Sequence, residues 1–166
     1  MKLVSASAVT SAGITACLLA GLVLVSPTPA QAQGSPFIGR WRLNKSLSTL
    51  PQGETAPADL VTDILRVEPL HVRWTVTMVD DQGQSDVQTF DIPANGEFYP
   101  INPDTVASIR LVGSGMQTTF RDANGQTDTL GCTVSGDQRR MTCTGAVTLQ
   151  DRSIGRYVDV FDRVVE

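Results

Sequence analysis

The stretch Thr129–Leu149 reads TLGCTVSGDQRRMTCTGAVTL, and it decides how the rest of the chain is interpreted. Two runs that alternate apolar residues with threonine flank the letters GDQR, a composition typical of a tight turn between antiparallel strands. If Ser135 faces Arg140 across this turn, Cys132 lies opposite Cys143. Directly opposed residues on antiparallel strands have Cα atoms about 4.5–5.5 Å apart, which a disulfide can span. The stretch therefore predicts a disulfide-linked β-hairpin.

The two cysteines could instead be free buried thiols or a redox-active pair. Their spacing is not that of a C-x-x-C motif, and a chain with a single histidine offers no second cluster of metal ligands. Alternation also places the cysteines on the apolar face of the hairpin. The residues that share this face are Leu130, Cys132, Val134, Met141, Cys143 and Val147. We therefore predict a structural disulfide, which is typical of an exported chain.

The N-terminus has the pattern of a secretory signal peptide. Lys2 is the only charge before an apolar run at Ile14–Val25, and Pro27 and Pro29 precede the small-residue site Ala30-Gln31-Ala32. Basic start, apolar middle and small-residue cleavage site occur together in signal peptides. We predict a signal peptide at 1–32 and a single domain at 33–166, in the periplasm or secreted.

Two other interpretations of this segment remain open. It could stay uncut as a membrane anchor, or Ile14-Thr15-Ala16-Cys17 could be a lipobox that makes Cys17 the lipidated first residue. The second is less favoured because the most apolar residues follow Cys17 rather than precede it.

Charge and hydropathy exclude some classes of partner. The net charge of −4 becomes −5 when Lys2 is removed, and no basic cluster is present. Binding of nucleic acid through phosphate neutralisation is therefore not expected. No later apolar run reaches the ~18 residues that a membrane-spanning helix needs. We expect a monomer without a transmembrane segment after residue 32.

The domain shows short alternating runs separated by turn residues and almost no helical periodicity. Asn-Gly pairs at Asn95-Gly96 and Asn124-Gly125 predict hairpins, and Asn44–Pro57 predicts a long loop or lid. Consecutive hairpins make sequence neighbours into sheet neighbours, and closure removes both sheet edges. We predict an all-β fold, a single up-and-down antiparallel β-barrel of about 8–10 strands, rather than a two-sheet sandwich. The predicted strands are Phe37–Leu43, Val61–Glu68, His71–Asp80, Ser85–Ile92, Glu97–Ile101, Thr105–Val112, Met116–Asp122, Gln126–Ser135, Arg140–Leu149 and Tyr157–Val165.

The phase of each strand predicts which residues point inward. In Val61–Glu68, the apolar face is Val61, Leu65 and Val67, with Ile64 out of phase. An eight-strand barrel is either filled by side chains or holds one small ligand. The candidate ligand-binding residues, all on apolar strand faces, are Trp74, Val76, Met78, Phe90, Ile92 and Leu111.

The opening FIGRWRL at Phe37–Leu43 resembles the F-x-G-x-W-x-L start of lipocalin-like barrels. The chain is similar to small exported bacterial lipocalin-like β-barrel proteins, a mostly uncharacterised group, at GRWRLNKSLS, EFYPIN followed by DTVAS, TVSGDQRRMTCTG and VDVFDRV. The resemblance implies that Trp41 packs across the closed end of the barrel under a basic side chain, Arg163 or Arg156. Gly39 would let the chain pass closely at this floor.

No motif for catalysis or metal binding is apparent. His71 lies on the polar face of its strand, no G-x-S-x-G motif occurs, and Asp80–Asp86 lacks the closing Glu of a calcium loop. We expect no catalytic residue, metal or cofactor. The favoured function is a barrel that binds a small hydrophobic or amphipathic ligand in the cell envelope. The alternatives are a filled barrel with a structural or interaction role and, least favoured because alternation places few acids inward, an enzyme with paired carboxylates in an apolar cavity.

Overall fold

A computed structural model describes residues 34–51, 54–148 and 153–165 of the 166-residue chain. The predicted signal peptide at 1–32, with Cys17, lies outside the described residues and stays a prediction. Within the described ranges no helix is long and apolar enough to span a membrane.

Ten strands follow one another along the described chain. Most alternate between buried and exposed residues, because successive side chains of a strand point to opposite faces of the sheet. Their bounds are β1 Gly39–Leu43, β2 Asp59–Glu68, β3 His71–Val79, β4 Ser85–Ile92, β5 Asn95–Asn102, β6 Thr105–Val112, β7 Gly115–Asp122, β8 Thr127–Val134, β9 Arg140–Thr148 and β10 Ile154–Arg163.

The strands form one antiparallel sheet in the order β4-β3-β2-β1-β10-β9-β8-β7-β6-β5. The first and last strands pair, with Trp41 opposite Arg163, so the sheet curls into a nearly closed barrel. This confirms the predicted all-β up-and-down barrel. The expected loss of both edges is wrong, because β4 and β5 end the sheet without pairing to each other.

The unpaired edges have a local cause at Asn95-Gly96. The predicted hairpin there is wrong, because Asn95 begins β5 and pairs with Arg110 of β6. Gly96 has a φ of +83° at an irregularity in the register of β5. The Asn-Gly pair therefore forms a bulge inside a strand, while Pro93, which has no backbone N–H to donate, and buried Ala94 carry the chain across the opening.

The β8–β9 hairpin has the predicted register. Cys132 lies opposite Cys143, and the backbone N–H of Ser135 donates to the carbonyl of Arg140 at 2.8 Å. The two cysteines form a disulfide with their Cα atoms 4.0 Å apart. The predicted pairing and disulfide are confirmed.

The phase of β2 differs from the prediction. The register with β3 shifts between Ile64 and Arg66, so Leu65 bulges out and is 54% exposed. Before this bulge, Leu60, Thr62 and Ile64 point inward. The one extra residue explains why Ile64 is out of phase with the later part of the strand.

After β1 the chain runs along β10 instead of forming a further strand. The N–H of Asn44 donates to the carbonyl of Val160, and Thr49 exchanges two backbone hydrogen bonds with Val158. This segment covers the part of β10 that lies beyond the end of β1. It brings Leu50 and Pro51 to one end of the barrel.

The other end of the barrel holds Trp41, which is fully buried. Its indole N–H donates to the carbonyl of Phe37 at 2.7 Å, and the Arg163 guanidinium lies 4.1 Å from the ring centre. The guanidinium also donates to the carbonyls of Pro36, Ile38 and Gln138. Gly39 is needed here, since it has a φ of +141° and a Cβ would overlap that guanidinium.

Candidate ligand-binding cavity

The barrel encloses a cavity of about 320 Å³ between the floor and the opposite end. Most of its walls are apolar side chains that alternate inward along seven strands. The lining residues are Leu60, Thr62, Ile64, Val72, Trp74, Val76, Ile109, Met116, Thr118, Phe120, Asp128, Leu130, Cys132, Met141, Cys143, Tyr157, Asp159 and Phe161.

Aromatic rings form one side of the interior. The rings of Trp74 and Phe90 lie with their centres 4.7 Å apart, and Phe120 of β7 faces the same space. Rings in this arrangement offer a broad apolar surface to a ligand.

A second pocket, of about 420 Å³, lies at the opening between β4 and β5. It shares Trp74, Val76 and Phe120 with the central cavity, so the two spaces adjoin. Its other lining residues come from strands near the two sheet edges: Met78, Asp86, Gln88, Phe90, Ile101, Asn102 and Thr105. The missing backbone pairing between β4 and β5 therefore coincides with a gap in the barrel wall.

The polar end of the cavity consists of Asp128 on β8 and Tyr157 and Asp159 on β10. The Tyr157 hydroxyl donates to Asp128 Oδ1 at 2.7 Å, although β9 lies between their strands. It reaches across because Gly145 of β9 has no side chain, and a Cβ there would overlap the Tyr157 ring.

Burial makes these groups hard to ionise. Desolvation and the nearby Asp128 charge raise the pKa of Asp159 to about 6. Desolvation also raises the pKa of Asp128, although the Tyr157 hydrogen bond opposes it, and the pKa of Tyr157 is raised by desolvation and by Asp128. None of the described residues that line the cavity is Lys, Arg or His. The polar end is therefore an acceptor site without a compensating cation.

The same three polar residues also line a pocket of about 420 Å³ under the loop after β1. Its loop residues are Leu50, Pro51, Glu54 and Thr55, and its remaining strand residues are Gln126, Val147 and Thr148. The polar end thus lies between the interior cavity and the loop-covered end of the barrel.

The candidate ligand-binding residues do not all lie in one place. Trp74 and Val76 line the central cavity, while Phe90 and the 42% exposed Met78 line the adjoining pocket. Ile92 is buried in the hydrophobic core, and the partly buried Leu111 packs against that core. Neither residue lines the central cavity.

Sequence reasoning missed the polar end, although the signal was present. Leu130 and Cys132 were predicted to point inward. Extending the same two-residue alternation back along the strand predicts that Asp128 also points inward. Asp159 shares its strand face with Arg163, which was expected to cover Trp41. The structure brings two acids into the cavity where few were expected.

The other candidates for chemistry lie outside the cavity. His71 is exposed on the outer face, with Nδ1 3.3 Å from an Asp91 carboxylate oxygen. Asp80 caps its own turn by accepting the N–H groups of Gln82 and Gln84. No group of three or more potential metal ligands occurs in the described parts of the chain.

Comparison with known proteins identifies the fold. No family model and no curated protein matches the chain. Among solved structures, a mutant of the fluorescent protein UnaG is 15% identical and covers 79% of this chain and 98% of its own, with a TM-score of 0.54. The structure of zebrafish ileal bile acid-binding protein complexed with cholic acid is 14% identical. It covers 78% of this chain and 100% of its own, with the same TM-score of 0.54.

A third similar structure is secretory abundant heat soluble protein 4 from Ramazzottius varieornatus. It is 11% identical and covers 82% of this chain and 100% of its own, also with a TM-score of 0.54. The chain therefore has a lipocalin-like β-barrel fold.

Proposed function

We propose that this chain is an exported binding protein that holds one small, mainly apolar ligand inside its barrel and catalyses no reaction. The observation that carries the proposal is the interior cavity of about 320 Å³, with apolar walls and a single polar end. Ligand sites in proteins have volumes of about 300–1,000 Å³ and combine apolar walls with a few polar groups.

Two further observations support a binding role. The opening between β4 and β5 gives the cavity a route to the outside that needs no broken strand pairing. One protein with a similar fold is a bile acid-binding protein in complex with cholic acid. A filled barrel, the alternative for an interaction protein, leaves no such interior space.

Export is supported by the disulfide and by the signal-peptide pattern before residue 33. The mass of protein recovered from the producing cell tests it. We expect a mature chain that begins at Gln33 in the envelope fraction or the medium. A full-length chain in the cytosol with reduced Cys132 and Cys143 would contradict export.

The binding role is tested by titration with an apolar dye that becomes fluorescent out of water, together with quenching of Trp74. Val76→Phe fills the space shared by the cavity and the adjoining pocket, and we expect it to weaken dye binding about ten-fold or more. Val87→Phe is the matched control, because Val87 is 58% exposed on the neighbouring strand. Equal binding by both variants, or no binding by the wild type, would count against the proposal.

One observation favours a second candidate, an acid–base enzyme. Asp128 and Asp159 are two acids with raised pKa values in one apolar cavity, the arrangement that lets a carboxyl group act as a general base near neutral pH. A nitrobenzisoxazole, whose ring opens when a carboxylate removes its proton, tests this. An acceleration over buffer that disappears in Asp159→Asn would favour the enzyme, and no acceleration would favour binding alone.

A further inference from the structure

The inward-facing charges of the barrel are segregated by sign. The acids Asp128 and Asp159 line the cavity, whereas the described residues of its lining include no cation. The Arg163 guanidinium is directed at the floor, where it donates to three carbonyls and covers Trp41. It is therefore committed to the closed end.

The acids also retain unused capacity to accept hydrogen bonds. A carboxylate can accept about four hydrogen bonds. The Asp128 carboxylate accepts one, from the Tyr157 hydroxyl, whereas the Asp159 carboxylate has no side-chain hydrogen bond or ion pair within the described ranges. By contrast, Asp162, on the same strand but the opposite face, is bonded to Asn44 and Arg140. The carboxylate acceptors that have capacity to spare thus lie on the cavity-facing sides of β8 and β10.

We propose that the cavity selects an amphipathic amine, whose apolar body lies against the aromatic wall and whose protonated amino group donates to Asp159 and Asp128. This inference rests on the proposed binding function. An ammonium group is suited to the polar end because it carries three N–H donors and no acceptor.

The electrostatics discriminate between headgroups. An ammonium group would compensate two desolvated acids, and charge-assisted hydrogen bonds are about twice as strong as neutral ones. A carboxylate ligand would place a third negative charge beside Asp128 and Asp159 with no cation to offset it. A neutral hydroxyl lies between these cases, since it can donate one hydrogen bond without adding charge. The raised pKa of Asp159 is consistent with a carboxylate that lacks its counter-charge.

Three probes with one apolar body and different headgroups test the inference: octylamine, octanol and octanoic acid. Each is titrated by calorimetry into the wild-type protein at about pH 8, above the Asp159 pKa, where the amine is charged. We expect octylamine to bind at least about ten-fold more tightly than octanol, and octanoic acid to bind most weakly of the three. This comparison needs no variant and does not depend on how a substitution folds.

Substitution then locates the effect. In Asp159→Asn the advantage of octylamine over octanol should fall at least about five-fold while octanol affinity stays within about two-fold, because Asn keeps the shape and loses the charge. The control Asp162→Asn alters a charge on the outer face and should leave the amine advantage intact.

The outcomes separate the two proposals. Failure of all three probes to bind would contradict the binding function and the inference together. Binding of octanol with no preference for octylamine, or equal binding of octanoic acid, would overturn the inference and leave the binding function standing. An amine preference that survives Asp159→Asn would also overturn it, because the charge that is held responsible would be absent.

Discussion

Replacing Asp159 with Asn should stabilise the protein at neutral pH. Asp159 has a pKa of about 6 in the folded chain against an ordinary value of 3.8, chiefly because its carboxyl group is desolvated. The difference corresponds to an upper limit of about 3 kcal/mol. Part of the side chain contacts solvent, which screens the charge, so we expect Asp159→Asn to raise the free energy of unfolding by about 1–2 kcal/mol.

The gain should depend on pH in one direction. A raised pKa means that the folded state binds the proton more tightly than the unfolded state. The contribution of Asp159 to stability is therefore fully present below about pH 3.8 and is lost as the pH rises through about 6. The neutral Asn does not titrate, so the variant and the wild type should differ little at about pH 4 and most above about pH 7. The titratable groups that share this end of the barrel, Asp128, Tyr157 and Glu54, are present in both proteins.

Urea unfolding followed by tryptophan fluorescence measures this difference. With a slope of about 2 kcal/mol/M, the midpoint should shift upward by about 0.5–1 M near pH 7. Asp162→Asn is the matched control with the opposite sign. Asn44 and Arg140 hold the pKa of Asp162 below its usual range, so its loss should destabilise the protein at neutral pH. A variant at position 159 that is no more stable than the wild type at pH 7, or equally stabilised at pH 4, would refute the reasoning.

Three further variants test the framework of the barrel. Replacing Cys132 and Cys143 with Ser should cost about 2.8 kcal/mol in urea unfolding, the loop-entropy value for a sequence separation of 11, and unchanged stability would show that the bridge adds nothing. Arg163→Lys keeps the charge but loses a guanidinium with three carbonyl partners, so the thermal midpoint should fall by an amount equivalent to about 2 kcal/mol. An unchanged thermal midpoint would contradict the role of Arg163 at the floor. Gly145→Ala should push aside the Tyr157 ring and alter the near-ultraviolet tyrosine signal, whereas an unaltered spectrum would show that the ring is free to move without cost.

Much of the fold could be predicted because it depends on near neighbours in the chain. The alternation around Trp74 and Val76 assigned those side chains to the interior, and the turn between Ser135 and Arg140 set the pairing of the cysteines. Where the local signal was ambiguous, the prediction failed. Asn95-Gly96 has the composition of a hairpin but forms a bulge, since the same positive φ serves both structures.

The site could be predicted only in part. Strand phase identifies an apolar face, but it does not say how tightly that face packs, so Ile92 was grouped with Trp74 although only Trp74 borders the cavity. The polar end was missed for a different reason. Asp128 and Asp159 lie far apart in sequence, and an acid inside a barrel contradicts the ordinary preference for apolar inward residues.

The sequence by itself determined the strands, their order of pairing along the chain, the disulfide and most inward faces, because these follow from a two-residue period and from turns of a few residues. Tertiary structure alone decided that β4 and β5 stay apart and that Gly145 leaves room for Tyr157 to reach Asp128. Those features arise when the sheet curls and strands that are not adjacent in the chain face one cavity. The curl of the sheet across β8, β9 and β10 is what directs Asp128 and Asp159 into the same cavity and makes them one acceptor site.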